Sequence, residues 1–150
     1  MEAAGCLFCR IAAGTVPSHR VHEDDTLVAF LDIGPIRTGH VQIVPRAHYP
    51  TFETCPDEVL MAITRLGKRI ARVQKGLYGV PRVAFFFTGT DIAHTHAHLV
   101  PMVAPTDVTS RRYIQEEDLT FAPLPSPTAA ELAAVAATLA AGLTAEGADG

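Results

Sequence analysis

Three histidines alternate with other residues in His94-Thr95-His96-Ala97-His98. An extended chain has a side-chain period of two, so a strand here would turn all three imidazoles to one face, about 7 Å apart at each step. Two chemistries use such a row. Neutral imidazoles bind zinc, and a one-faced set of three can form a metal site that activates water. Alternatively, a neutral imidazole nitrogen attacks phosphorus and carries the group covalently until water releases it. Spacing alone does not separate them. A single strand histidine is more often a satisfied polar residue, and three alternate ones also suit an exposed polar face. The apolar Ala97, Leu99, Val100 and Met102 point to burial on the other side, which favours a functional row. A second cluster lies near the start, where Cys6-Leu7-Phe8-Cys9 has the two-residue spacing shared by zinc sites and redox pairs. Cys55 stands alone and reads as a small buried apolar residue.

These groups need elements to hold them. Phe8 to Ala13 reads as a short helical turn ended by Gly14, and His19 to Glu23 as a short strand. Thr26 to Leu31 has strand composition and stops at the turn Asp32-Ile33-Gly34-Pro35. Gly39 to Pro45 then supplies its antiparallel partner. Pro56 suits the first helical position, with Asp57 and Glu58 in the first turn, and Val59, Leu60, Ile63, Leu66, Ile70 and Val73 recur at helical steps. This helix is expected to reach Leu77, before Gly79, with Arg65, Lys68, Arg69, Arg72 and Lys75 on its solvated or C-terminal side. Val83 to Thr88 and Ala93 to Val103 follow as strands. Residues 104–127 are polar and Pro-rich, as in an extended surface arm. Thr128 and Glu131 have capping-box spacing at the head of an Ala/Leu-rich helix running to about Leu143.

At 150 residues, 48% hydrophobic and 19% charged, the chain suits one folded domain and neither a disordered nor a disulfide-scaffold class. Its net charge of −4 offers no surplus for phosphate backbones, so nucleic acid is not an expected partner. No basic segment followed by an apolar run opens the sequence, and no stretch nears the ~18 apolar residues of a membrane span. The expected location is cytoplasmic, without membrane attachment. Histidine is unusually frequent, seven in all.

The sequence resembles the histidine triad (HIT) family of nucleotide-binding hydrolases and transferases. The resemblance rests on His94-Thr95-His96-Ala97-His98-Leu99-Val100, with Thr95 the one polar departure. It extends through Cys6-Leu7-Phe8-Cys9-Arg10-Ile11, Gly14, Val16-Pro17-Ser18, Glu23-Asp24, Ala29 to Pro35, Gly39-His40 and Pro45-Arg46-Ala47-His48, over about residues 6 to 103. It implies an α+β fold with about five antiparallel strands, one long packed helix and a C-terminal helical extension. Residues 1–104 would form the HIT domain, and 105–150 an arm and helix of the same domain.

The resemblance further implies that His96 is the nucleophile on the α-phosphate of a nucleoside phosphoramidate, dinucleoside polyphosphate or related ester. His98 would donate to a phosphate oxygen, and His40 would orient His98. In the branch of the family with this Cys-x-x-Cys, Cys6, Cys9, His48 and His94 form a closed structural zinc site, which cannot also activate water. A redox pair is the competing reading of the cysteines, but no βαβ unit puts them at a helix N-terminus. Asp32 matches a carboxylate that binds ribose hydroxyls, with turn capping as its competing role. Phe8, Ile11, Phe30, Leu31 and Ile33 would wall a base of adenosine or guanosine type, or else serve plain packing. His19 and His22 receive no role and are expected at the surface. Family members usually pair through the long helix and a neighbouring strand, so a homodimer is implied.

The phosphate loop departs from the pattern. Thr90 stands where many relatives have Gln, and Asp91 follows where a small hydroxyl residue is usual. Three roles are open to Asp91: turned away from phosphate, proton donor to the leaving group, or selector of a cationic leaving group. A non-catalytic nucleotide-binding regulatory module and a triad-bound metal hydrolase stand as alternatives to the covalent enzyme.

Overall fold

The computed structural model describes residues 5–88, 91–104, 106–108 and 123–147. In chain order the elements are α1 (Leu7–Ala12), β1 (Arg20–Glu23), β2 (Leu27–Leu31), β3 (Val41–Pro45), α2 (Asp57–Tyr78), β4 (Val83–Thr88), β5 (His96–Pro101) and α3 (Ala129–Gly147). A 3₁₀ turn at Phe52–Thr54 precedes α2. The strands form one sheet in the order β1-β2-β3-β5-β4, every pairing antiparallel. This is the expected α+β architecture, five antiparallel strands with one long packed helix and a C-terminal helix.

Both faces of the central strands are covered, and strand alternation decides which side chain serves which face. Leu27, Ala29, Leu31, Val41, Ile43, Ala97 and Leu99 meet Ile63, Leu66 and Ile70 of α2 and Leu132, Leu139 and Leu143 of α3 in the larger core. Each fully buried Leu, Ile or Val side chain among them contributes about 1.5–3 kcal/mol. The opposite face carries a smaller cluster in which Val28, Phe30 and Val44 pack under Cys6, Phe8, Ile11 and Ala12 of the α1 region. The Arg46 and Arg20 guanidiniums donate to the Ala12 and Ile11 carbonyls at 2.7 Å each, which ties the end of α1 to the sheet.

Several boundaries differ from expectation for identifiable reasons. Pro56 has an extended ψ of 147° and caps α2 rather than beginning it, and Gly79 ends the helix in the left-handed conformation at φ 63°. Gln74, absent from the apolar series, is fully buried on α2 and donates to the Gly39 and Leu99 carbonyls at 2.8 and 3.2 Å. The ladder of β5 begins at His96 instead of Ala93. His94 donates its backbone N–H to Ile92, and Thr95 donates its own to Tyr49, so neither joins β4. The Thr128–Glu131 capping box forms reciprocally, and α3 runs on to Gly147. Most of the expected surface arm lies outside the described residues. Among those residues, no helix is long and apolar enough to cross a membrane.

Candidate active site and metal centre

Ala97 and Leu99 face the helices, so His96 and His98 face the other way, with ring centroids 5.1 Å apart. The hydrogen bonds around them determine which nitrogens carry protons. His96 Nδ1 lies 2.6 Å from the His94 carbonyl, which only accepts, so Nδ1 carries a proton and in the neutral ring Nε2 keeps its lone pair. Ile36 donates its backbone N–H to His40 Nδ1 at 3.2 Å, leaving the proton of the neutral ring on Nε2. That Nε2–H donates to His98 Nδ1 at 2.9 Å, which in turn puts the His98 proton on Nε2. Thr88 completes the series: its hydroxyl accepts from His98 Nε2 at 3.0 Å and donates to His96 Nε2 at 2.8 Å. A directional chain therefore runs from a backbone amide to the lone pair of His96.

Burial and the neighbouring His40 and His96 rings lower the pKa of His98 to about 4, and burial also lowers that of His40. Neutral imidazoles are what the chain of donors requires. Packing fixes the ring planes: Phe86 stacks on His98 with centroids 5.0 Å apart and planes at 12°, and Phe8 meets His96 edge-on at 5.1 Å. His40 itself is 3% exposed. Gly39 before it has φ +85°, and a side-chain carbon there would come within 2.5 Å of the Tyr78 ring, so only glycine lets the chain pass.

At the other end of the row, His94 uses its nitrogens differently. Its Nε2 donates to the Pro45 carbonyl at 2.9 Å, which leaves the Nδ1 lone pair directed at a cluster of ligand atoms. His94 Nδ1 is 3.4 Å from both Cys6 Sγ and Cys9 Sγ and 3.2 Å from His48 Nδ1, and Cys9 Sγ is 3.3 Å from His48 Nδ1. A tetrahedral zinc ion with bonds near 2.1 Å to nitrogen and 2.3 Å to sulfur has ligand atoms about 3.4–3.8 Å apart, so these atoms lie within a few tenths of an ångström of that spacing. Donor set, spacing and tautomer all fit such an ion, with Cys6, Cys9, His48 and His94 as its ligands. Burial and the adjacent Cys6 thiol push the Cys9 thiol up to about 11, an obstacle to ionisation that a divalent cation offsets.

A cleft of about 420 Å³ lies between α1 and β2; its wall includes Phe8, which touches His96, but none of His94, His96 and His98. Phe8, Ile11, Phe30, Leu31, Asp32 and Ile33 all border it. They do so unequally: Ile33 is 79% exposed at the rim, whereas Leu31 is 2% exposed and its side chain belongs to the helix-side core. Asp32 accepts from the Gly34 amide at 2.8 Å and from Gln42 Nε2 at 2.6 Å, so turn capping engages one oxygen while the other faces a side chain. His19 is half-buried and borders the cleft as well. His22 sits 3.0 Å from Asp24. Asp91 is exposed, and Thr90 lies outside the described residues.

Sequence reasoning missed Thr88, Phe86 and Gln42. The register pairs Thr88 with His96, and both Phe86 and Gln42 with His98. Gln42 had a visible signal as the lone polar residue of an apolar strand; Thr88 had none before the pairing of β4 with β5 was known. A larger cavity, about 510 Å³, lies between the β2–β3 connection and α3. Its walls include His40 but neither His96 nor His98.

The HIT domain family model matches residues 13–104. An uncharacterized HIT-like protein of Methanocaldococcus jannaschii is 35% identical over 100 residues, 64% of this chain and 78% of that protein. The adenosine 5′-monophosphoramidase of Saccharomyces cerevisiae is 34% identical over 99 residues, 65% of this chain and 63% of the yeast protein. Among solved structures, a zinc-bound histidine triad family protein from Mycobacterium smegmatis superposes with a TM-score of 0.75 at 24% identity, covering 99% of this chain and 100% of that one. That last likeness establishes the shared fold.

Proposed function

The chain belongs to the HIT domain family, and from that membership we propose that it is a nucleotide hydrolase or nucleotidyl transferase working through a covalent nucleotidyl-His96. The observation that carries this reading is the 2.6 Å contact from His96 Nδ1 to the His94 carbonyl, which leaves Nε2 as a nucleophile without a proton to lose. Substrates of the proposed class are nucleoside phosphoramidates and dinucleoside polyphosphates. The base, of adenosine or guanosine type, enters the cleft of Phe8, Ile11, Phe30 and Ile33, and Asp32 receives the ribose hydroxyls.

Nε2 of His96 attacks the α-phosphorus; the N–P bond forms as the bond to the leaving group breaks, and the leaving group departs with a proton. His98 Nε2–H donates to a non-bridging oxygen as negative charge builds there, and His40 holds that proton on the correct nitrogen. Water then attacks phosphorus opposite the N–P bond, which breaks to restore the Nε2 lone pair; the proton the water loses goes to solvent and balances the one the leaving group took up, and the nucleoside monophosphate leaves. An acceptor other than water gives transfer instead of hydrolysis. Thr90 and Asp91 belong to the loop proposed to meet the phosphate. An Asp91→Ser variant, compared with wild type on phosphoramidates and dinucleotides, tells whether Asp91 takes part: equal relative rates make it a bystander.

Bound zinc supplies a structural cross-link between the start of α1, the region after β3 and the head of β5. Cys6, Cys9, His48 and His94 hold it, and through the His94 carbonyl the same segment orients His96. A homodimer is part of the proposal. β4 is an edge strand, and Phe85 on it is 41% exposed, with Met61 and Leu77 of α2 at 48% and 45%. Light scattering at micromolar concentration tests it.

The enzymatic reading is tested by quenching the protein during turnover of adenosine 5′-phosphoramidate. One nucleotidyl group per chain is expected, acid-labile and absent from His96→Ala. Tight nucleotide binding with no adduct and no turnover would favour the regulatory-module alternative.

A further inference from the structure

Thr88 stands where the proposed chemistry has to begin. It is the last residue of β4, paired with His96 across the ladder, and it is exposed. Its Oγ1 lies 2.8 Å from His96 Nε2 and 3.0 Å from His98 Nε2. The two imidazoles proposed to attack and to stabilise charge thus converge on a hydroxyl that belongs to the chain itself. Their neutral tautomers fix its direction: His98 donates to Oγ1, and Oγ1 donates to the lone pair of His96.

That arrangement excludes reaction. A nitrogen and a phosphorus poised for attack stand about 3–3.5 Å apart along the lone pair. A hydroxyl hydrogen-bonded to the same lone pair fills that space. The single proton on His98 Nε2 is likewise committed to Oγ1, so a phosphate oxygen can take it only in place of the hydroxyl. A reactive complex therefore needs Thr88 in another rotamer. Turning an exposed side chain between staggered positions leaves the core undisturbed, so the obstacle is the pair of hydrogen bonds. A ligand offsets their loss by presenting an oxygen to His98 where Oγ1 had been. A phosphoryl group does this and brings its electrophilic atom to His96 at the same time.

We infer that the Thr88 hydroxyl is a resting-state cap on the nucleophile: it occupies the His96 lone pair, keeps both Nε2 atoms aimed at one point, and turns away when a phosphoryl oxygen replaces it on His98. Thr88 acts through the two histidines and is a positioning residue. The inference rests on the roles proposed for His96 and His98 and adds a step that must precede attack.

The test uses the full chain with its zinc, as wild type, Thr88→Ala and Thr88→Ser. Scalar couplings about the Cα–Cβ bond read the Thr88 rotamer in the wild type, first alone and then saturated with adenosine 5′-monophosphate. One rotamer is expected in the free protein and a different one in the complex. Mixed rotamers in the free protein, or an unchanged rotamer in the complex, overturn the inference. Diethyl pyrocarbonate, a small acylating agent, then measures access to the lone pair without any nucleotide, with fragment mass spectra assigning the modified histidine. Acylation of His96 is expected to be about fivefold faster in Thr88→Ala, the ratio that one ordinary hydrogen bond sustains. Thr88→Ser keeps the hydroxyl and should react at the wild-type rate, with His19 and His22 as unchanged references in all three proteins. Equal His96 rates in wild type and Thr88→Ala, or a Ser variant as fast as the Ala variant, overturn the cap. The two readings fail separately. If the nucleotide does not bind, the enzymatic reading falls, and the free-state rotamer and the acylation rates decide the cap; a capped protein that binds nucleotide and forms no adduct overturns the enzymatic reading alone.

Discussion

The two ends of the His94–His98 run use one residue type in opposite ways. At the first end the imidazole is 1% exposed, and its Nε2 is anchored on a carbonyl, so that Nδ1 points at two thiols and a second imidazole. At the far end the anchored nitrogen is Nδ1, on a carbonyl for His96 and on His40 for His98, and both Nε2 atoms meet at the exposed Thr88 hydroxyl. What separates the ends is which nitrogen the backbone or a neighbour captures. The proposed metal ligand is the ring whose remaining lone pair faces thiols inside a closed set, and the proposed nucleophile the ring whose remaining lone pair meets an exposed hydroxyl.

The comparison breaks most sharply at His96. His96→Ala is expected to lower kcat by about 10⁴-fold or more, with the thermal midpoint within a few degrees of wild type, measured by product release and scanning calorimetry. The converse is expected at Cys9. Cys9→Ser should release the metal, counted by elemental analysis, and lower unfolding free energy by more than about 3 kcal/mol in urea titrations. At a temperature where this variant is folded, its turnover should fall far less than that of His96→Ala. Equal losses of activity would mean that the two ends are one site.

A smaller effect sharpens the chemical end alone. His40→Leu removes the donor that keeps the His98 proton on Nε2, and a 10- to 100-fold fall in kcat is expected with zinc content unchanged. Metal loss in this variant would contradict the division of the row. The smallest effect is in pH dependence. Burial lowers the pKa of His98 to about 4 and lowers that of His40, whereas both titrate near 6.5 when unfolded. Between those values the unfolded chain binds protons that the folded chain does not, so stability is complete above about 6.5 and is lost as pH falls toward 4. Chemical denaturation at several pH values in this window measures it, and a variant lacking both His98 and His40 should show a shallower slope.

Much of this arrangement was legible in the sequence, because alternation and helical periodicity are local. The antiparallel pairing of β2 with β3, the long α2 and the capping box of α3 follow from patterns within a few residues. The Cys2His2 cluster was legible by a different route, through resemblance, since nothing in spacing joins Cys6 to His94 across 88 positions. The hydrogen bonds of Thr88, the stacking of Phe86 and the partners of the Gln42 and Gln74 amides were not legible. Each depends on which strand or helix lies opposite, and a single polar residue in an apolar run does not declare its partner. The early end of the β5 ladder belongs to the same class: Tyr49, 46 positions away, takes the Thr95 amide that regular pairing would otherwise use.

Native mass spectrometry of His96→Ala after incubation with adenosine 5′-phosphoramidate reads both ends of the row in one spectrum. A chain carrying one zinc ion and no covalent nucleotide is expected, with wild type carrying both. A His96→Ala chain that still bears the nucleotide, or one that has lost its zinc, would contradict the division of the row into a structural and a chemical end.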